Sequence, residues 1–355
     1  MSAGWNRYGP TGARTHGKPG RMTRPKSVTI DVHGHVGVPR AAEYVKPYFD
    51  WSTIPLAHFS TPDTRALNQK QEEDRASRMN DLPDRLVDLD EMGIDRQIVM
   101  PPPLQCYYTV PLEIAATASR MVNDGIAEYA SRKPDRLIPF GTVPLQDGKA
   151  AAEELGRCVK TLRFKGVEIL TNVAGNELSD PAYAPFWAAA EELQALVILH
   201  PNGFTEGKRL SRHYFSNVIG NPFDTTVALH YLIFDGVLER HPGLRILALH
   251  GGGYLPAYSG RIDHAWAARS DVHGALPKPP GTYLRKIYFD TVVFTPHQLR
   301  YLVEQFGADH VMMGTDYPYD MAEYDPVGHV RSVETFDEGA VSAIVGGNAS
   351  ALLKL

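Results

Sequence analysis

Eight short apolar runs alternate with longer segments whose apolar residues recur nearer every 3.6 positions, and this alternation constrains the chain most. The runs lie at 28–31, 96–100, 138–143, 166–170, 195–200, 245–250, 286–290 and 311–314. The segments between them include 112–132, 148–162, 181–194, 225–240 and 295–306. Pro181 and Pro296 stand near helix starts, where a missing N–H costs little. Strand–helix alternation of this kind specifies parallel strands joined by crossover helices, and eight such units close into a single (β/α)8 TIM barrel. The chain has 355 residues, more than the repeat itself needs. Residues 1–26, poor in large apolar side chains, are expected to form a flexible, disordered N-terminal extension. Residues 37–83 form a long insertion after the first strand, and 203–222 and 267–283 are Gly/Pro/polar loops. Loops after barrel strands build the substrate pocket, so these additions are expected at the site. Residues 27–355 are read as one domain.

Composition excludes several classes of function. A net charge of −5 gives no drive toward nucleic acid. No run approaches a transmembrane span, and the basic N-terminal stretch lacks the apolar core of a secretory signal. That stretch reads as a solvated tail rather than a transit peptide. Two cysteines, Cys106 and Cys158, make no disulfide framework, so a reducing cytoplasm is the expected location.

Four of the apolar runs end in groups able to bind metal or move protons. The first leads into Asp31-Val32-His33-Gly34-His35, where two histidines two positions apart on a strand share a face. A lone His-x-His is weak evidence. Three later runs, however, close on His200, His250 and Asp316. In a parallel barrel, residues at the C-terminal strand ends converge on one mouth. Any one of these groups would ordinarily be a strand cap, but four in series at the same end point to a shared site.

These residues resemble the amidohydrolase superfamily. The stretches Gly236-Val237-Leu238-Glu239-Arg240-His241-Pro242, Ala248-Leu249-His250-Gly251-Gly252-Gly253 and Gly260-Arg261-Ile262-Asp263-His264 resemble its aminocarboxymuconate-semialdehyde decarboxylase branch. So do Gly314-Thr315-Asp316-Tyr317-Pro318 and Gly347-Asn348-Ala349. The resemblance runs from about Val28 to the end. It implies that His33, His35, His200 and Asp316 bind one divalent metal ion, zinc or manganese, with His250 beside it as an acid/base group. His250 and Asp316 are the catalytic candidates. Three neutral imidazoles and one carboxylate would leave the centre Lewis-acidic. Glu168, inside the fourth strand, is a minor candidate for bridging a second ion. No organic cofactor is expected, because no phosphate-binding glycine fingerprint is present, and Gly251 to Gly253 read as space for the pocket.

The resemblance further implies a non-oxidative decarboxylase of an aromatic or unsaturated carboxylic acid, working in aromatic catabolism. Arg261 and Arg269 match carboxylate-binding arginines of that branch, the second reaching the site from a neighbouring subunit. This implies a homodimer, or a tetramer built from it. The arginine expected shortly before the second strand is missing, with Arg75 and Arg78 only nearby, which counts against the muconate semialdehyde itself. Tyr107, Tyr317 and Phe294 follow strand ends and are candidates for stacking on a planar substrate; Tyr108, Tyr319, Trp51 and Phe59 are weaker ones. Two alternatives stay open: a hydrolase or hydratase on the same scaffold, and a catalytically silent metal-binding barrel.

Overall fold

The computed structural model describes residues 20–355. Its barrel strands are β1 (Ile30–His35), β2 (Arg96–Met100), β3 (Leu137–Pro139), β4 (Gly166–Leu170), β5 (Leu196–His200), β6 (Arg245–Ala248), β7 (Tyr288–Asp290) and β8 (Val311–Met312). Neighbours pair in parallel from β1 to β3 and from β4 to β8. A bridge from Gly141 to Val167 joins the two sheets on one side, and one from Gly34 to Tyr317 joins them on the other. The eight strands therefore form a closed ring with no free edge, the expected (β/α)8 barrel.

The strands are mostly shorter than the apolar runs. Met313 N–H leaves the ladder for the Ile344 carbonyl, which ends β8 at Met312. Pro139, which has no N–H to give, ends β3. The run at 245–250 stops at Ala248, and His250 lies beyond the strand in a tight turn with φ of 53°. β1 instead begins later and extends to His35.

The core has two apolar layers. Ile30, Val32, Ile98, Met100, Ile138, Phe140, Leu196, Ile198, Leu247, Leu249 and Met312 fill the inside of the ring. Val99, Val167, Ile169, Val197, Leu199, Ile246, Ala248 and Phe289 face outward beneath the helices. Successive strand residues thus supply both layers, so nearly every position is apolar, the pattern of a sheet buried on both faces.

β1 departs from strict alternation. Its pairing with β2 shifts between Asp31 and Gly34, so that Val32 and His33 together face Ile98. A bulge of this kind changes which residues point inward. Ile30 and Val32 fill the lower barrel, and from the bulge onward His33 and His35 point into its mouth.

The long insertion is helical rather than loop-like. Thr61 caps the helix Pro62–Asn80 by accepting from Thr64 N–H at 3.1 Å. Gln71, Arg75 and Met79 lie on its buried face. The segment 225–240 is split into helices Gly220–Phe234 and Val237–Arg240, because Gly236 adopts φ of 74° between them. The expected N-terminal extension falls largely outside the described residues. Its last part is docked: Gly20 N–H donates to Asp325 Oδ1 at 2.8 Å, and Arg24 pairs with both oxygens of Asp95 at 2.8 Å.

Candidate active site

The barrel mouth brings together five side chains from four strand ends. His33 Nε2 lies 3.2 Å and His35 Nε2 3.4 Å from Asp316 Oδ1, and His250 Nε2 lies 3.6 Å from Asp316 Oδ2. The His200 ring centroid is 5.0 Å from that of His35 and 5.1 Å from that of His250. His33, His200, His250 and Asp316 form the tightest group, with ligand atoms all within 4.8 Å of one another. His35 lies beside Asp316 but outside this group, its ring centroid 5.2 Å from that of His33. The five residues therefore offer overlapping four-donor sets, with His35 and His250 as the members that differ.

The outer nitrogens of three rings decide which way the lone pairs point. His33 Nδ1–H donates to Asp290 Oδ2 at 2.8 Å. His35 Nδ1–H donates to the Pro101 carbonyl at 2.9 Å, and His200 Nδ1–H to the Pro201 carbonyl at 2.6 Å. Each acceptor lacks a proton, so each Nδ1 carries one and each Nε2 presents a lone pair inward. Those three Nε2 atoms and Asp316 Oδ1 are buried without a hydrogen-bond partner. A buried orphan acceptor costs about 1–3 kcal/mol. Four of them facing one point fit a divalent ion that would satisfy them all. Three imidazoles and a carboxylate suit zinc and manganese alike.

Burial and the two carboxylates set the electrostatics of the site. Burial opposes charge on His33, but the Asp316 and Asp290 carboxylates outweigh it and push that imidazole up to about 10. Burial holds His35 below its ordinary value and His200 well below it, which keeps both neutral and ligand-ready. Asp316 is buried too, which opposes ionisation, yet the surrounding histidines hold its carboxyl well below the usual range.

Two tight turns carry the remaining chemistry. His250 and Asp316 are both left-handed, with φ of 53° and 63°. For non-glycine residues this costs energy and persists only where surroundings enforce it. Asp316 N–H bonds the His33 carbonyl at 2.8 Å, and the Gly251 N–H beside His250 bonds Asp290 Oδ1 at 2.8 Å. Asp290 thus steers His33 with one oxygen and fixes the His250 turn with the other, a role the sequence reading did not assign. Its place at the end of β7, the same level as the other strand-end groups, was the available signal. Gly251 to Gly253 have a different role from pocket space. All three have positive φ, and a Cβ on them would meet Val293, Phe289 and the Pro222 carbonyl respectively.

Above the donors lies a cavity of about 820 Å³, lined by residues including His200, Asp316, Tyr319, Arg75, Trp51, Ile54 and Asn202. Arg75, only 4% exposed, packs its guanidinium 4.6 Å from the centroid of the Tyr319 ring and pairs with Glu72. Its Nε is buried and unpartnered. The sequence reading noted Arg75 only as near the position of a missing arginine, because helical phase within a long insertion does not reveal which turn meets the barrel mouth. Glu168 points inward below the donors, 3.8 Å from His35 Nδ1, and burial raises its carboxyl well above the usual range.

The candidate substrate contacts are scattered. Tyr107 is buried and lines an adjoining cavity. Tyr317 turns away into the protein, where its hydroxyl donates to Asp88 Oδ2 at 2.7 Å, and Tyr319 takes the place at the site, its ring 5.1 Å from that of His35. Phe294 is half-buried after β7, outside the residues that line the cavity. Arg261 is exposed on the helix Leu255–Ala268, and Arg269, exposed just beyond it, pairs with Asp271 at 2.7 Å. Within one chain neither arginine lines the cavity.

Fold and site together define a barrel built to hold a divalent cation. The amidohydrolase family model matches residues 30–355, and the chain belongs to that family. It is 31% identical to 2-amino-3-carboxymuconate-6-semialdehyde decarboxylase of Dictyostelium discoideum, over 93% of this chain and 92% of that one. It is also 31% identical to gamma-resorcylate decarboxylase of Rhodococcus jostii (strain RHA1), over 84% of this chain and 97% of the relative. A solved structure of dihydroxybenzoic acid decarboxylase from Polaromonas sp. JS666, with bound manganese and 2-nitroresorcinol, superposes with a TM-score of 0.76 at 25% identity. That match covers 93% of this chain and 97% of the other. Among the described residues, no helix is long and apolar enough to cross a membrane.

Proposed function

We propose that this protein is a metal-dependent, non-oxidative decarboxylase of a small aromatic or unsaturated carboxylic acid, a carboxy-lyase of the amidohydrolase superfamily. One observation carries the reading: inward-facing lone pairs of His33, His35 and His200, with Asp316, sit beneath a cavity whose wall holds a buried arginine. The relatives named above are decarboxylases of such acids, and one of the solved structures holds manganese.

The chemistry follows from charge flow. When the bond between ring carbon and carboxylate breaks, carbon dioxide leaves and an electron pair stays on the ring carbon until a proton arrives. His33, His35, His200 and Asp316 would hold a divalent cation, which would supply Lewis acidity toward an oxygen of the substrate. The His250–Asp316 pair, with Nε2 and Oδ2 3.6 Å apart, handles the proton. Arg75 is the buried cation in the wall and pairs with the acid or its phenolate. The Tyr319 ring, packed against Arg75 and His35, adds an aromatic wall beside a planar substrate.

The protein works as a cytoplasmic homodimer in this reading, with Arg269 reaching the partner's cavity. Tyr254, Tyr258, Tyr231, Phe223 and Val218 support a shared face. They are exposed large apolar residues on or beside the helices Gly220–Phe234 and Leu255–Ala268. Cys106 and Cys158, both buried and unpaired, suit a reducing compartment.

The deciding experiment is carbon dioxide release by metal-loaded protein from a panel of ortho-hydroxybenzoates, carboxyvanillates and muconate semialdehydes. Release that chelation abolishes and zinc or manganese restores is the expected result. Water-dependent cleavage of lactones or amides without carbon dioxide would move the chain to the hydrolase reading.

A further inference from the structure

The bulge in β1 is held by side chains that do not line the cavity. Asp31, Gln97, Thr315 and Arg85 are each 0% exposed. His33 N–H donates to Asp31 Oδ1 at 2.9 Å. Asp31 Oδ2 accepts from two more donors, Gln97 Nε2 at 2.7 Å and Thr315 Oγ1 at 2.6 Å. Gln97 Oε1 in turn accepts from Arg85 Nη1 at 2.7 Å, and Arg85 Nη2 donates to the His35 carbonyl at 2.5 Å. Arg85, on the helix Leu82–Met92, completes its bonding on the Tyr129 hydroxyl and the Arg78 carbonyl, both at 3.0 Å. All of these partners are neutral oxygens. The buried cation and the buried carboxylate therefore meet through the Gln97 amide.

The chain of bonds has one direction. A guanidinium only donates, so Gln97 must turn its carbonyl oxygen to Arg85 and its NH2 group to Asp31. Asp31 must then accept. No side-chain nitrogen or oxygen of the four residues is left without a partner. Gly34 makes the passage possible, because a Cβ there would meet Gln97 Cδ and Nε2 at 2.5 Å. This accounts for the glycine between the two histidines. The chain meets the donor set at three places: His33 N–H, the His35 carbonyl, and Thr315, which precedes Asp316. Thr315 Oγ1 also accepts from Tyr317 N–H at 3.1 Å, so it holds the backbone on both sides of Asp316. The left-handed Asp316, with φ of 63°, persists only where its surroundings enforce it.

We infer that Asp31, Gln97 and Arg85 are positioning residues for the metal donors, an inference that rests on the reading of His33, His35, His200 and Asp316 as ligands. One polar chain ties β1, β2 and the segment after β8 together at the barrel mouth. It thereby sets the spacing between Asp316 Oδ1 and the Nε2 atoms of His33 and His35, 3.2 and 3.4 Å away. A chain that merely stiffened the barrel would change unfolding without changing how tightly a metal is held. Outer partners of ligands change the affinity itself, by about 10–100-fold.

The test exchanges charge along the chain. Asp31→Asn leaves an NH2 group facing that of Gln97, and Gln97→Glu leaves a carboxylate facing that of Asp31. Together the two substitutions match again. The new carboxylate accepts from Arg85 and from the new amide, whose oxygen still takes His33 N–H and whose NH2 group also reaches Thr315 Oγ1. The Thr315 hydroxyl then donates to the His33 carbonyl, 3.2 Å away. Zinc and manganese affinities of the full chain are read by competition with a chromophoric chelator. The manganese site is read by electron paramagnetic resonance, and the stability of the apo forms by urea unfolding. Each single variant is expected to bind metal about tenfold or more weakly, with an altered manganese spectrum. The double variant is expected to return to within about threefold of wild type and to restore the spectrum. Independent effects would multiply instead, so a double variant as weak as the product of the single losses overturns the inference. So does wild-type affinity in single variants that are merely less stable. Should a single variant not fold, Thr315→Val cuts one bond to Asp31 at constant shape and is expected to weaken affinity in the same direction; unchanged affinity there overturns the inference as well. Failure of the decarboxylase reading looks different: no acid then releases carbon dioxide, yet the single losses and the recovery in the double variant stand.

Discussion

Asp290 tests how the donors are held. It is fully buried, accepts from His33 Nδ1 with one oxygen and from Gly251 N–H with the other, both at 2.8 Å. Asp290→Asn keeps shape and volume but gives one of those positions an NH2 group. Either His33 Nδ1–H or Gly251 N–H then faces a donor. If it is His33, the ring flips its proton or turns, and Nε2 no longer aims a lone pair at the point it shares with Asp316 Oδ1. If it is Gly251, the turn carrying His250 loosens. Loss of such an outer partner weakens metal binding by about 10–100-fold, or about 1.4–2.7 kcal/mol. Competition against a chromophoric chelator measures this directly, and thermal unfolding of the apo variant reports whether the fold survives. The expected outcome is weakened zinc and manganese affinity in a folded protein. Wild-type affinity in Asp290→Asn would refute the orienting role and detach Asp290 from the site.

Three further outcomes follow from the same geometry. His200→Ala is expected to lose bound metal and turnover together, whereas His250→Asn keeps metal and loses about 10²–10⁴-fold in kcat; metal analysis beside initial rates separates them, and near-normal rates in His250→Asn would remove it from proton handling. Arg75→Met preserves packing against Tyr319 but removes the charge, so kcat/KM for an acid substrate should fall about 10–100-fold, while inhibition by a neutral resorcinol changes little. Tyr317→Phe deletes the bond to Asp88 and should lower stability by about 1–2 kcal/mol in denaturant unfolding, with kcat/KM unchanged. A selective loss of substrate affinity in that variant would return Tyr317 to the site.

The barrel and the convergence of polar groups at its mouth were legible in the sequence because both depend on local pattern. Parallel strands buried on two faces read as continuous apolar runs, as at Leu196–His200. Strand ends converge by geometry, so His33, His35, His200 and Asp316 could be grouped before any coordinates. Strand limits were less legible, since partners outside the ladder set them, as the Ile344 carbonyl does for Met313. Tyr317 and Tyr319 show the same limit at the site. They are two residues apart after one strand, yet one reaches Asp88 and the other the His35 ring.

What the sequence determined, then, was the repeat, the chemical character of the mouth and the family to which both belong. These rest on periodicity and on residue type at strand ends. What the tertiary structure decided was everything that depends on two distant segments meeting. The bulge that turns His33 and His35 inward is set by register against β2. The direction of the lone pairs is set by Asp290, Pro101 and Pro201. Arg75 enters the cavity only because a helix of the insertion docks across the mouth. Each of these is a contact between segments remote in sequence or a choice of backbone register, and a one-dimensional pattern carries neither.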